Sequence, residues 1–499
     1  MRYVQDSFVA RLHFVGSVTA LLACDAPTGT GALPGLTIRA DGGWVDTIVA
    51  PPVRVLLEVR DSVGHPIRGA IVQLLYGVPR TPGVFHVGLP GAQQPSWPVI
   101  DTTDAAGRGE ARLWHGGSAG EAWLRVDVLS TTVPRTTIYR DSVAVLTTPG
   151  QPAKLIITPQ DTALHQGNSG TFTVVVADRF GNPRPEQAEL EPGTAGISVA
   201  GMTVTAAAAP SRQVVRARFG SLVDSAWLSI VPRGTIAVRI MRLTEPDYSY
   251  VFAMFQLDGS QYTRFLPRGA FGNSEKFMGP QWARTGHELF FFEQGRLFRT
   301  TTSGSASPLF PAPISQYDMW QQTTPDESWI YFNGATPAAY RTYVYRARID
   351  GSEASRIPPG PERFYENDLY PSPSPDGQHV VYSTDRETGD IFDLRLQIVE
   401  VETGVIRSLG VAGKGPRWSP TGEWIAFGRA HHVYVVRPDG TGLRQLSAYG
   451  YEPWVSWSPD GRWLAAERYG PFIDLIQVET GLTLPLGFTG YLTTPAWQP

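Results

Sequence analysis

The second half of the chain repeats itself, and the way the repeat is broken restricts what it can fold into. From Gly234 onward a short word returns at intervals of roughly 40–50 residues. It is intact as Trp418-Ser419-Pro420-Thr421-Gly422 and as Trp457-Ser458-Pro459-Asp460-Gly461. Ser374-Pro375-Asp376-Gly377 keeps it without the tryptophan. Trp282-Ala283-Arg284-Thr285-Gly286 and Thr324-Pro325-Asp326-Glu327 are degraded copies, and Pro495-Ala496-Trp497-Gln498-Pro499 is a sixth, cut short. An apolar run follows each of the first five: ELFFFE, WIYFNG, HVVYST, WIAFGR and WLAAER. Smaller turns mark a second hairpin at Asp258-Gly259, Gly304-Ser305, Asp350-Gly351, Thr403-Gly404, Asp439-Gly440 and Thr480-Gly481. Each unit therefore reads as four antiparallel strands.

The two ends complement each other. TIAVRIM, YVFAMFQLDG and YTRFLP, following Gly234, supply three strands with no opening word, and the C-terminus supplies an opening strand with nothing after it. Joined, they complete a sixth unit and remove the sheet edges that an open array would expose. The expectation is a six-bladed β-propeller over 234–499, closed by the C-terminal strand. An open array with frayed ends is the alternative, and the matching fragments argue against it. Composition agrees with an all-β chain: 52 Gly, 42 Pro, 11% aromatic and only 18% charged residues do not describe a helical bundle.

These repeats resemble the TolB-like β-propeller family, with its WD40-like Pro-Asp repeat, over residues 234–499. The resemblance implies structural roles for the word: Trp between blades, Pro-x-Gly in the turn, Asp accepting turn amides. It also implies that partners engage one mouth of the central channel, through loops leading from the outer strand of one blade to the first strand of the next. Those loops fall at 271–279, 315–321, 364–370, 411–415, 448–454 and 487–494. They hold Tyr317, Asp318, Trp320, Tyr365, Asp368, Lys414, Tyr449, Tyr451, Glu452, Trp454 and Tyr491. Tyr and Trp offer large contact area at low entropic cost, which suits docking of a peptide or glycan. The alternative is that several of these rings simply fill the tunnel.

Upstream, two stretches alternate apolar strands with Gly/Pro/Asp turns, 39–147 and 151–232. They share a word: Val59-x-Asp61-x-x-Gly64-x-Pro66 returns as Val176-x-Asp178-x-x-Gly181-x-Pro183. With Thr103-Asp104-Ala105-Ala106-Gly107, this looks like bacterial Ig-like domains of the invasin/intimin type, which implies two β-sandwiches acting as spacers or adhesive modules. The Pro/Gly-rich insertion at 77–99 is read as a surface excursion rather than a binding loop.

The only cysteine is Cys24. Arg2 and Arg11 precede an apolar run, Phe14 to Ala23, of signal-peptide length and too short for a stable membrane anchor. Leu21-Leu22-Ala23-Cys24 resembles the bacterial lipobox, so residues 1–24 are expected to be a signal peptide with Cys24 as the lipidation site and 25–38 a tether.

Catalytic patterns are weak. Gly116-Gly117-Ser118-Ala119-Gly120, beside His115, matches a nucleophile elbow but lies between two predicted strands, where a glycine-rich turn is expected. His431-His432 are expected on opposite faces of one strand, unable by themselves to share a metal. The acidic loop Asp385–Asp390 lacks EF-hand spacing. No phosphate-cradling loop occurs, no cofactor is expected, and a net charge of −4 gives no nucleic-acid footprint. The expected protein is a lipid-anchored, non-catalytic binding or scaffold component of the bacterial envelope. Its partner would be a protein or an envelope polysaccharide, with the membrane touched through the anchor only. The rivals are an adhesin working through the Ig-like pair and a glycan-active propeller lyase.

Overall fold

The computed structural model describes residues 35–40, 44–47, 52–76, 84–90, 98–131, 133–242, 249–264, 279–283, 285–293, 296–301, 306–308, 321–335, 342–350, 352–358, 367–470, 472–486 and 491–499. All regular structure among them is β, and none of them forms a helix. The chain divides into residues 1–150 and 151–499.

The first unit is two sheets sharing one core. One orders Gly35–Ala40, Val53–Arg60, Arg108–His115 and Phe85–Gly88; the other orders Val45–Thr47, Thr137–Thr148, Gly120–Leu129, Ile71–Tyr76 and Val99–Thr102. Val55, Leu57 and Val59 from one sheet meet Val72, Leu74, Leu124 and Val126 from the other, the spacing of two that strands impose. The word shared with the next module is a turn. Asp61 Oδ1 accepts the amides of Val63 and His65, and Asp178 Oδ1 those of Phe180 and Asn182. Gly64 and Gly181 sit at φ +94° and +97°, a region that favours glycine. The glycine-rich stretch after His115 joins two strands, so it lacks the strand-to-helix geometry of a nucleophile elbow.

In the second unit, 151–232 forms small sheets around Leu155, Ile157, Phe172, Val176, Leu228 and Ile230. Its strand Leu222–Val231 leads directly into six four-stranded antiparallel sheets. The first sheet holds Thr263–Arg264, Ser249–Gln256, Thr235–Arg242 and Tyr491–Trp497. The second to sixth open with Gln281–Trp282, Gln321–Thr323, Asp368–Pro373, Lys414–Trp418 and Tyr451–Trp457. The last strand pairs with the first as the broken repeat requires: Ile236 opposes Trp497 and Ala237 opposes Ala496.

Successive residues of one strand feed two different cores. Ile236 and Val238 pack with Trp463, Ala465 and Leu475 of the sixth sheet, while Ala237 between them packs with Leu289 and Phe291 of the second. The same sharing links second to third, third to fourth, fourth to fifth and fifth to sixth. The six sheets therefore form a closed ring, and burial on both faces explains why their strands read as continuous apolar runs.

The repeated word serves this ring. Ser458 Oγ donates to Asp460, which also accepts the Arg462 amide, while Ser458 Oγ accepts from the Trp463 amide. Ser374, Asp376 and His379 repeat the pattern. Trp457 Nε1 donates across to the Arg417 carbonyl and Trp282 Nε1 to that of Ala496, tying neighbouring sheets.

The small module is joined to the ring by more than the chain. Ala163 and Val231 lie in the core that holds Ile236 and Trp497. Ser229 Oγ donates to the Pro485 carbonyl at 3.0 Å, and His165 Nε2 lies 3.5 Å from Asp258 Oδ2.

Candidate functional site

Strands alternate in direction within each sheet. The connection into a first strand and the turn between second and third strands therefore emerge at the same end of the ring, which is the end holding the expected binding loops.

Here the first strands are bulged three residues before the word. Tyr370, Gly415 and Thr494 occupy the left-handed region at φ +60°, +62° and +49°, and the strands around them shift register. The second strand of the preceding sheet answers the bulges at Tyr370 and Thr494. Asn333 Oδ1 accepts the Tyr370 amide at 3.0 Å, and Glu467 Oε2 accepts the Thr494 amide at 2.7 Å. Where Pro453 brings a ring instead, the matching residue is Gly428, whose added Cβ would come 2.5 Å from Pro453 Cα.

Gly279, Pro280, Gln281, Arg417, Trp454, Val455, Thr494 and Pro495 line a narrow cavity of about 30 Å³ between the first strands. That is room for water or the tip of a polar group. Its wall is polar: Gln281 Oε1 and Thr494 Oγ1 are buried with no hydrogen-bond partner among the described residues. Burial pushes the Arg417 guanidinium down to about 9, still charged at neutral pH. Glu467 is pushed up to about 7 by burial, against the opposing pull of the Thr494 amide and the Arg239 charge. Trp454 meets Tyr370 edge to face, ring centroids 5.5 Å apart.

The expected site residues divide. Tyr317, Asp318, Trp320 and Tyr365 lie outside the described residues, as does Cys24. Trp454 lines the cavity, Glu452 is half-buried nearby in sequence, and Tyr449 is 67% exposed. Lys414 holds its ammonium 5.8 Å from the centroid of the exposed Phe392 ring. Tyr491 begins the closing strand opposite Met241. Two others are internal braces. Asp368 is buried, bonded to Thr384 Oγ1 and Arg386, and Tyr451 is buried with its hydroxyl donating to Asp474 at 2.6 Å.

His431 and His432 do not stand on opposite faces of one strand. His431 occupies the turn after Arg429, at φ +63°, and both imidazoles meet Tyr449. A left-handed turn cancels the alternation on which the expectation rested. Among the described residues no group of three or more His, Cys, Asp or Glu is placed to hold a metal ion.

Sequence reasoning passed over Tyr370, Thr494, Arg417, Gln281 and Glu467. A signal existed for the lining: Gly279, Trp454 and Thr494 each stand three residues before a Trp of the word, so aligning the repeats position by position selects them.

No protein-family model matches the chain. An uncharacterized protein of Agrobacterium fabrum, Atu1656, is 34% identical over 116 residues, which is 21% of this chain; the match spans only 38% of that relative's length. Among solved structures, TolB from Acinetobacter baumannii is similar over 64% of this chain and 84% of its own, at 15% identity and TM-score 0.45. An oligogalacturonate lyase in complex with manganese is similar over 51% and 74%, at 16% identity and TM-score 0.32. Hydrazine synthase of Kuenenia stuttgartiensis is similar over 54% and 47%, at 11% identity and TM-score 0.41.

Proposed function

We propose that this chain is a non-catalytic binding protein of the bacterial envelope. In this reading 234–499 is a six-bladed TolB-like propeller, and 39–147 and 151–232 are Ig-like spacers. Cys24 carries a lipid anchor, and a protein partner docks at the channel mouth. The observation that carries it is the narrow polar cavity at the bulged end of the closed ring. With about 30 Å³ to offer, it takes a polar tip, and recognition falls to side chains at this end of the ring, Trp454, Tyr370 and Lys414 among them. Those side chains stand on strands fixed by the ring, which keeps the ordering cost of binding small.

The test is capture from an envelope extract by the purified full chain, compared with Trp454→Ala and Lys414→Glu. Arg54→Ala on the 1–150 unit is the control. The expected result is a partner retained by wild type and control and weakened about tenfold or more by either mouth variant, a loss typical of interface anchors. Turnover of envelope glycans or peptides that the mouth variants abolish would replace the binding reading with an enzymatic one.

A further inference from the structure

Tyr449 belongs to the same end of the ring, in the connection from the fifth sheet to the sixth, and is not among the residues that line the cavity. Its surroundings are built with care at a cost in backbone strain. The turn between Ile425–Arg429 and His432–Val436 places two consecutive non-glycine residues, Ala430 and His431, in the left-handed region at φ +47° and +63°. Non-glycine residues held there carry backbone strain and cluster where function requires a fixed geometry.

The strained turn acts as a clamp. The His431 carbonyl accepts the amides of both Gly450 and Tyr451 at 3.0 Å, and the Gly450 carbonyl accepts the Tyr469 amide at 2.7 Å. The Tyr469 hydroxyl meets His431 Nδ1. Turns of two successive sheets thus grip the loop that carries Tyr449, before any ligand arrives.

The ring geometry narrows the ligand. Tyr449 lies 5.4 Å from His431, 5.7 Å from His432 and 6.4 Å from Tyr469 between centroids, at 71–72° to each. Rings so close leave no space for a cation among them, so this is not an aromatic cage. Rings perpendicular to Tyr449 do not make the parallel walls that hold a polyproline segment. What remains is the exposed phenol of Tyr449, beside the less exposed Tyr469, with hydrogen-bonding groups around its edge. His432 Nδ1 lies 3.1 Å from Gln445 Nε2, and Tyr434 donates to Gln445 Oε1 at 2.8 Å, extending the polar border. A pyranose ring matches both features, with an apolar C–H face for the phenol and hydroxyls for the rim.

We propose that Tyr449, flanked by His431, His432 and Tyr469, is a saccharide subsite that takes one sugar ring of a glycan chain. It rests on the reading of this end of the ring as a binding face, but it uses residues outside the cavity lining.

The probes are N,N′,N″-triacetylchitotriose and cellotriose, titrated into the full chain by calorimetry and by saturation-transfer NMR. Saturable binding of at least one is expected. Tyr449→Ala should weaken it about tenfold or more, whereas Tyr449→Phe, which keeps the stacking face, should stay within about threefold. Matching thermal transitions for the two variants exclude loss of fold as the cause. The proposal is overturned by absence of binding to either probe, or by Tyr449→Ala binding as well as wild type. It is equally overturned if Tyr449→Ala loses only a captured protein, since this face then docks a peptide. Capture at the mouth is scored separately with Trp454→Ala, so failure of one reading is visible without failure of the other.

Discussion

Glu467 shows how one buried residue couples the closing seam of the ring to its solution. Burial raises its carboxyl from 4.5 to about 7, so the folded state favours the proton. Its contribution to stability is therefore whole below about pH 4.5 and is lost as pH rises through about 7. Between pH 5 and pH 8 wild type should lose roughly 2–3 kcal/mol relative to Glu467→Gln, a gap that urea midpoints at the two pH values will read. Identical slopes for the two proteins would place the carboxyl in water. Residues of this kind are hard to find in sequence. Glu467 is the next-to-last residue of the run WLAAER and looks like a solvated strand end, because nothing local announces that the Thr494 amide lies against it. Turn residues are easier. Asp61, Asp178, Asp376 and Asp460 announce themselves because a side-chain acceptor two residues before a needy amide, with Gly close by, has few other uses.

At the scale of strands, most of the ring was legible. Trp418 and Trp457 close their first strands, and Asp439-Gly440 and Thr480-Gly481 fall between third and fourth strands as the small turns indicated. Legibility fails at the bulges, where Tyr370 and Thr494 break the alternation of two and turn neighbouring side chains toward or away from the axis. The closing strand was readable as a missing piece, and its energetic weight follows from its burial. Trp497 is 6% exposed within the core of the sixth and first sheets, and its amide donates to Ser456 Oγ at 2.9 Å. Trp497→Ala should destabilise the 151–499 unit by about 3–5 kcal/mol, read from the denaturant midpoint. A cost under about 1 kcal/mol would mean that the seam contributes little to holding the ring together.

For the molecule as a whole, the boundary that matters falls at 150. Residues 151–232 look like an independent module in sequence, with their own turn word and alternation. Yet Ala163 and Val231 are buried among ring residues, and Ser229 reaches Pro485. Long-range packing of this kind leaves no local mark, since Ala163 and Val231 would be apolar in either arrangement. Calorimetry of the full chain should show one transition for 1–150 and one for 151–499. Val55→Ala should move only the first and Val231→Ala only the second, each by about 2 kcal/mol. A third transition, for 151–232 alone, would separate module from ring.

The pairing of Ile236 with Trp497 also sets a clock on biogenesis. Five of the sheets can form from contiguous chain as it emerges, but the first must wait, one edge bare, until residues 491–497 have been synthesised and delivered. During that interval the strand Thr235–Arg242 offers unpaired amides and carbonyls to any other extended chain, so the nascent protein is open to mispairing until residues 491–497 arrive.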